Sequence, residues 1–225
     1  MDTSMRPIDV SDAERIVREI DFPANQNGPL HRLMFPASAE FTETQRDEVI
    51  RWRSEDLRDA IRHQTTSFLQ ICAPDGSPLG FCGWVVEGGR RAAGEGRAKP
   101  TGLESVDTQS NRHEAPCLPE VLDVAAWSSI SQQLREERQR VLNDISDVYR
   151  LTFMSVRPDL QRQGLGSRLM KAVCDQIDKS GLPAFVMASP DGVHLYAKFG
   201  FQVVGRLTTR EGTFSSMLRP AQAIP

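Results

Sequence analysis

The sequence predicts an α/β (α+β) fold in which strands and helices surround one sheet. Short runs rich in β-branched and aromatic residues alternate with longer stretches whose apolar residues recur at helical spacing. The run from Tyr149 to Val156 is dominated by apolar, aromatic and β-branched residues, which is typical of a strand covered on both faces. A glycine-containing turn and an amphipathic helix follow it. With 225 residues the chain has the length of one large domain or two small ones, and we expect one domain over residues 1–225.

The N-terminal part is predicted to form a strand, a helix and a broken segment. Met5 to Val10 has the composition of a short strand, and Ser11 is positioned to cap a helix that runs through Ile20, with Glu14 completing the cap. Phe22 to Pro36 contains three prolines and is expected to be an ordered loop or broken helix. Its position ahead of the remaining elements suggests one wall of a substrate site.

A long helix and a hairpin are predicted next. Thr42 and Gln45 form a capping box before an amphipathic stretch that ends near His63. The β-rich runs Ser67 to Ala73 and Leu79 to Val86 are separated by a turn sequence containing proline, aspartate and glycine. We therefore expect these two runs to pair as a hairpin.

The C-terminal half is predicted to alternate helices and strands. One helical stripe comprises Trp127, Ile130, Leu134, Val141, Ile145 and Val148. A second helix follows the core strand, with its apolar stripe at Leu165, Leu169, Val173 and Ile177 and a cap at Gly181. The remaining predictions are a strand at Ala184 to Ala188, a short helix at Asp191 to Phe199, and a strand pair at Phe201 to Leu207 and Thr213 to Leu218.

Composition argues against several classes of protein. Lysine and arginine number 27 against 30 acidic residues, a net charge of −3, so we expect no nucleic-acid partner. No apolar run approaches the ~20 residues of a membrane span, and Met1 to Asp12 lacks the apolar segment of a secretory signal. The four cysteines lie far apart without a C-x-x-C pair, which favours reduced thiols and no metal site. We expect a cytoplasmic protein without a membrane partner, with the nucleus as the alternative location.

The segment that carries chemistry joins the core strand to the following helix. The first amide groups of a helix lack partners and attract anions, and glycines let a phosphate approach the main chain. Gly164 and Gly166 lie at this junction, with Ser167 and Arg162 available for a hydroxyl and a positive charge. By themselves the two glycines fit a tight turn equally well.

Two nucleotide-binding folds are excluded by the same segment. A dinucleotide-binding fingerprint requires a third glycine, where this chain has Leu169, and belongs after a first strand. A P-loop requires Gly-Lys followed by Ser or Thr, and that sequence is missing here.

The whole stretch resembles motif A of the GNAT superfamily of acetyl-CoA-dependent N-acetyltransferases. That motif is Gln or Arg, two residues, Gly, one residue, then Gly or Ala, and Gln161-Arg162-Gln163-Gly164-Leu165-Gly166 matches it in full. Family-like residues also occur at Val156-x-Pro158, Leu169-Met170 and Leu195-Tyr196-x-Lys198-x-Gly200-Phe201. The strong match spans roughly residues 151–205. The first half of the chain has elements in the order of the family but no diagnostic residues.

The resemblance implies a fold, a cosubstrate and a site. The fold is a mixed, mostly antiparallel sheet flanked by helices, with splayed strands that bind acetyl-CoA. Main-chain groups of Met154 and Val156 contact the pantetheine, and Tyr196 protonates the leaving thiolate as general acid. A core aromatic residue is the alternative role for Tyr196. The turn that binds the pyrophosphate comprises Gln161, Arg162, Gln163, Gly164, Leu165, Gly166 and Ser167.

The general base stays unassigned. Some family members carry a glutamate on the core strand where this chain has Arg150. Asp147, Glu87, His194 or a chain of water molecules are alternatives, although the two acids are expected to be solvated surface groups and the histidine a structural hydrogen-bonding residue. His31 and His63 have no stronger claim.

The implied function is transfer of an acetyl group to a primary amine by direct attack in a ternary complex. No cysteine precedes or lies within motif A, which makes an acyl-enzyme less attractive. The alternative is a CoA-binding sensor or scaffold without catalysis, supported by the missing strand glutamate. A third hypothesis, a transcriptional or chromatin partner, has weaker support. Small amines, peptides and polyamines all fit as acceptors, and the protein is a monomer or homodimer.

An insertion is predicted at residues 88–119. This segment has five glycines, three prolines and no aromatic residue, too few apolar groups to offset the entropy of ordering. We expect limited proteolysis of the free protein to cut there first, with rapid amide exchange across the segment. Strong protection from exchange there would contradict the prediction and indicate an ordered lid or interface.

Overall fold

The computed structural model describes residues 2–88 and 118–222, which form a seven-stranded sheet with helices on both faces. The strand order is β1-β2-β3-β4-β5-β7-β6, and all neighbours are antiparallel except β4 and β5. The mixed, mostly antiparallel sheet that was expected is therefore confirmed. The strands are β1 (Ser4–Pro7), β2 (Ser67–Cys72), β3 (Pro78–Gly88), β4 (Asp147–Val156), β5 (Ala184–Ala188), β6 (Gln202–Thr209) and β7 (Gly212–Arg219).

The helices divide between the two faces of the sheet. They are α1 (Ala13–Ile16), α2 (Phe22–Asn25), α3 (Pro29–Met34), α4 (Glu43–Arg62), α5 (Val124–Leu142), α6 (Leu165–Ser180) and α7 (Val193–Ala197). On one face α6 and α7 bury a core around Leu169, Met170 and Ile177. On the other face α1 to α5 cover two further apolar clusters, one of which includes Phe81 and Phe153. No helix in the described ranges has the length and apolarity needed to cross a membrane.

The first helical segment differs from its prediction. The prediction that Ser11 and Glu14 cap it is wrong. The cap is formed by Asp9 and Asp12, and the Asp9 amide donates to the Asp12 carboxylate at 2.9 Å. The segment also continues past Ile20 through a π-helical turn (Val17–Asp21) into α2. The Phe22 amide donates to Val17, five residues earlier. We attribute this wider turn to Pro23, which has no amide hydrogen and whose ring would crowd the carbonyl of a regular helix.

Most later elements confirm their predictions. The β2–β3 hairpin is present, and α4 begins at a capping box in which the Thr42 amide donates to Gln45 Oε1 at 2.9 Å. α6 ends at Gly181 in the left-handed conformation, and β5 has the predicted bounds. The predicted stripe of α5 was too long, because the helix ends at Leu142 and Val148 belongs to β4. Asn143 and Asp144 follow Leu142, and both residue types favour turns over helix continuation.

The predicted insertion at residues 88–119 lies almost wholly outside the described residues. Only Gly88, at the end of β3, and Leu118 and Pro119, ahead of α5, belong to the described chain. Its properties therefore stay a prediction.

Gly83 allows aromatic rings to pack across β2, β3 and β4. It lies opposite Phe68 on one side and Phe153 on the other, and the two ring centroids are 5.7 Å apart. A Cβ atom at Gly83 would lie 2.8 Å from the Phe68 ring and 3.0 Å from Thr152 Oγ1. No side chain is accommodated there without displacing the ring.

Replacing Gly83 with alanine is therefore expected to destabilise the protein. The displaced Phe68 ring should lower the free energy of unfolding by about 1–3 kcal/mol, measured by urea denaturation. Ser67→Ala, at an exposed position on β2 next to Phe68, is the control and should change stability by less than about 0.5 kcal/mol. Equal effects of the two changes would mean that Gly83 is not needed for this packing.

Candidate active site

Strands β4 and β5 separate partway along their length. They pair only at Tyr149↔Ala184, Arg150↔Phe185 and Leu151↔Val186. Beyond Leu151, β4 continues along β3 while β5 continues along β7. Among the described residues, the last five positions of β4 thus have no strand partner on the β5 side. We call this gap the β4–β5 opening.

A β-bulge at Thr152 lies where the two strands part. Gly83 and Trp84 are consecutive on β3 but face Phe153 and Leu151 on β4, so Thr152 is an extra residue. Because side chains alternate along a strand, the extra residue reverses the alternation on either side of it. Leu151 and Met154 accordingly pack on the α6 face, and Phe153 packs on the opposite face.

The bulge also decides which main-chain groups point into the opening. The Arg157 amide donates to the Leu79 carbonyl of β3 at 3.0 Å. In this register the main-chain groups of the odd-numbered residues 153 and 155 also point toward β3. By alternation, the amide and carbonyl groups of Met154 and Val156 point away from β3. The carbonyl of Val156 indeed accepts the Gln161 side-chain amide at 3.1 Å. The two residues predicted to contact pantetheine therefore direct main-chain groups away from β3 and into the opening, where the Val156 carbonyl is bonded by Gln161.

The turn after β4 leads into the N-terminus of α6. Arg162 and Gly164 both adopt positive φ, at 63° and 87°. The first helical amide bond is Arg168 to Gly164 at 3.0 Å, so the amides of Leu165, Gly166 and Ser167 have no partner within the helix. Such a group of amides at a helix N-terminus is suited to an anion.

The two motif glycines have different physical roles. Around Gly164 there is open space, and its positive φ is the reason that glycine is favoured. At Gly166 a Cβ atom would lie 3.3 Å from the Leu195 side chain and 3.9 Å from the Val156 side chain. Gly166 therefore lets α6, α7 and the end of β4 meet closely.

Among the other predicted cofactor-binding residues, two stabilise the turn, one is exposed and one is buried. The Gln163 side-chain amide donates to the Asp159 carbonyl at 3.2 Å, and Gln161 bonds Val156, so both amides stabilise the turn itself. Arg162 is exposed. The Leu165 side chain is buried in the core, which leaves only its main chain for a ligand.

Tyr196 lies in α7, at the border of the same region. Its ring is buried against Phe201, with 5.9 Å between centroids, and within 3.0 Å of the Cβ position of Gly192. Burial, with a smaller contribution from the neighbouring Cys82, raises the pKa of Tyr196 well above its usual range. Cys82 faces Met154 across β3 and β4. The phenol is therefore protonated at neutral pH, and its hydroxyl has no hydrogen bond to a described residue.

The acidic candidates for the general base are not freely solvated. Arg150, which occupies the position of the family glutamate, donates from Nε to Glu87 Oε1 at 2.5 Å. Asp147 is 9% exposed and receives a weak hydrogen bond from Ser146. The expectation that Glu87 and Asp147 are solvated surface acids is wrong, because both are held at the bases of β3 and β4 among polar partners.

The histidines differ in environment. Burial, followed by the charge of Arg53, lowers the pKa of His31 to about 3, so it is neutral. His194 is exposed on α7, and His63 is exposed at the end of α4.

A buried polar network beside the opening was not found from the sequence. Asp21 accepts hydrogen bonds from Arg53 at 3.0 Å and from Asn25 at 2.9 Å, and Asn25 donates to Ser155 Oγ at 3.1 Å. One sequence signal was available, since Asp21 interrupts the apolar residues Ile20 and Phe22. Within the described residues, no group of His, Cys, Asp or Glu side chains is arranged to hold a metal ion.

Comparisons with known proteins relate this geometry to a family. Residues 136–217 match the family model described as the acetyltransferase (GNAT) domain. No curated protein sequence matches the chain. Several solved structures have a similar fold, each with low sequence identity.

Three of these structures cover nearly the whole chain. Arylalkylamine N-acetyltransferase 2 from Aedes aegypti is 12% identical with a TM-score of 0.63, covering 100% of both chains. The Drosophila melanogaster polyamine N-acetyltransferase is 16% identical with a TM-score of 0.58, covering 96% of this chain and 99% of that one. The PaiA N-acetyltransferase from Thermoplasma acidophilum, in complex with coenzyme A, is 15% identical with a TM-score of 0.51, covering 98% and 99%. Residues 136–217 thus match the GNAT acetyltransferase domain model, and the described residues have the fold of solved acetyltransferase structures.

Proposed function

We propose that the protein is an N-acetyltransferase that moves the acetyl group of acetyl-CoA to a primary amine of a small molecule or peptide. The observation that carries this proposal is the β4–β5 opening, where main-chain groups of Met154 and Val156 without a strand partner lie ahead of the turn at Gly164. A pyrophosphate bound by the amides at the start of α6 extends its pantetheine along β4. The solved relative that contains coenzyme A has the same fold.

In this proposal the reaction is a direct attack within a ternary complex. The amine nitrogen bonds to the thioester carbonyl carbon, and the carbon–sulfur bond then breaks to release the thiolate. Tyr196, held protonated by its buried site, supplies the proton to that sulfur. The proton of the amine passes to water, because the strand acid Glu87 is held by Arg150. Orientation of the two substrates supplies most of the rate.

A CoA-binding sensor or scaffold is the second candidate. Its support is Arg150, which stands where some family members carry a glutamate and forms an ion pair with Glu87 on the adjacent strand. The buried, protonated Tyr196 supports the enzyme instead.

The proposal extends to the organisation and location of the chain. A single acetyltransferase domain over residues 1–225, with an insertion at 88–119, is consistent with one sheet to which both described ranges contribute. A cytoplasmic location is supported by Cys72, Cys82 and Cys174, which are buried free thiols.

Binding at the turn is tested by Gly164→Glu. A glutamate would place a negative charge in the open space before α6, so calorimetry should detect no CoA binding to the folded variant. Gly76→Glu is a matched control, because Gly76 has a similar φ of 81° and equally open surroundings in the β2–β3 turn. Unchanged CoA affinity in folded Gly164→Glu would remove the proposed pyrophosphate site.

Tyr196→Phe separates the enzyme from the scaffold. The change keeps the ring against Phe201 but removes the acid, so turnover should fall by roughly 10²–10⁴-fold with little change in CoA affinity. The other tyrosine of the chain, Tyr149, provides the control variant Tyr149→Phe, which should retain turnover.

The readout is thiol release with a panel of amines. Near wild-type turnover of Tyr196→Phe would assign the acid role to water. A wild-type protein that binds CoA but acetylates no amine in a broad panel would favour the scaffold.

A further inference from the structure

We propose that Asn25 binds the amine acceptor through its side-chain oxygen, and that Arg53 is a positioning residue that acts on Asn25 through Asp21. The proposal rests on the acetyltransferase function and names the residue that recognises its second substrate. It follows from the polar network that crosses from α4 to the splayed part of β4.

The orientation of the Asn25 amide is determined by its partners. Its nitrogen lies 2.9 Å from the Asp21 carbonyl, 2.9 Å from Asp21 Oδ1 and 3.1 Å from Ser155 Oγ. The two Asp21 atoms only accept hydrogen bonds, so they must face the NH₂ group of the amide. The Asn25 oxygen therefore points away from Asp21, and no described residue donates to it. Asn25 is partly exposed, which leaves this oxygen available to a ligand.

Ser155 locates that oxygen relative to the β4–β5 opening. After the bulge at Thr152, Ser155 lies between Met154 and Val156, the residues whose main chain points into the opening. The Ser155 side chain is on the face opposite α6, where it meets Asn25. The face with α6 holds the turn proposed for the pyrophosphate, so in this proposal the acceptor lies on the second face, where Asn25 meets Ser155.

Arg53 fixes the Asp21 carboxylate at the end of the network away from Ser155. One guanidinium nitrogen donates to Asp21 Oδ2 at 3.0 Å, and the other lies 3.0 Å from Nδ1 of His31, which is packed between aromatic rings. The side chains of Arg53 and Asp21 are only 10% and 11% exposed. A buried pair that is fixed at both ends holds its third partner, Asn25, in one orientation.

The chemistry of the free oxygen selects a hydrogen-bond donor. A neutral amide oxygen accepts from the N–H of an amine without removing its proton or lone pair, so the amine stays competent to attack. Primary amines have the hydrogens for this bond, whereas tertiary amines in neutral form have none.

Asn25→Ala tests the acceptor contact. With the best amine of the panel, loss of one hydrogen bond should raise the KM for the amine roughly 3- to 10-fold, while CoA affinity by calorimetry and the KM for acetyl-CoA stay unchanged. Ser54→Ala is the control, because Ser54 is buried beside Arg53 but bonds only the Ile50 carbonyl, at 2.6 Å. Its amine KM should equal that of the wild type.

The role of Arg53 is tested by a double-mutant cycle. Arg53→Lys keeps the charge but cannot bond Asp21 and His31 together, so it should raise the amine KM in the wild type and add nothing in Asn25→Ala. If Arg53→Lys does not fold, Asp21→Asn replaces it in the cycle, because Asp21 is the residue that joins Arg53 to Asn25.

The outcomes separate this proposal from the proposed function. A wild-type enzyme that acetylates amines, with an amine KM unaltered by Asn25→Ala, overturns the role of Asn25 alone. Multiplicative effects of Arg53→Lys and Asn25→Ala overturn the positioning role of Arg53. A wild-type protein without turnover overturns the acetyltransferase function, and the present proposal with it.

Discussion

The interrupted pairing of β4 and β5 is the constraint on which the rest of the site depends. Three residue pairs hold the strands together up to Leu151, and then each strand continues with a different neighbour. An unpaired row of main-chain groups is costly in a protein interior unless water or a ligand satisfies it. The bulge at Thr152 makes Met154 and Val156 the residues that face the opening, and the chain then leads through residues 157–163 to the turn at Gly164.

Packing on the two faces keeps the strands apart. On one face Gly166 brings α6 within contact of Leu195 and Val156, so helix and strand end form one wall. On the other face the aromatic rings around Gly83 pack in one apolar cluster with residues of α1 to α4, and Asp21 pairs with Arg53 between the helical segments. A buried ion pair contributes little net stability, but removing one partner is costly, so such a pair favours a single arrangement.

The difference at position 150 changes how the site is understood. A cation on the core strand would be unfavourable in a buried position without a partner, and Glu87 on the adjacent strand supplies one. Because of the same pairing, Glu87 is not a carboxylate without an ionic partner. The environment of these two side chains is therefore set by two strands together, and neither residue shows it when considered separately.

The sequence alone determined the order of elements and the location of the glycine-containing turn before α6. Periodicity, caps and glycine spacing depend on neighbours within a few residues, which is why α4, α6, β5 and the turn at Gly164 were predicted correctly. It did not determine the bulge at Thr152 or the contact of Asn25 with Ser155. Those depend on strand register and on residues 130 positions apart, which only tertiary packing brings together.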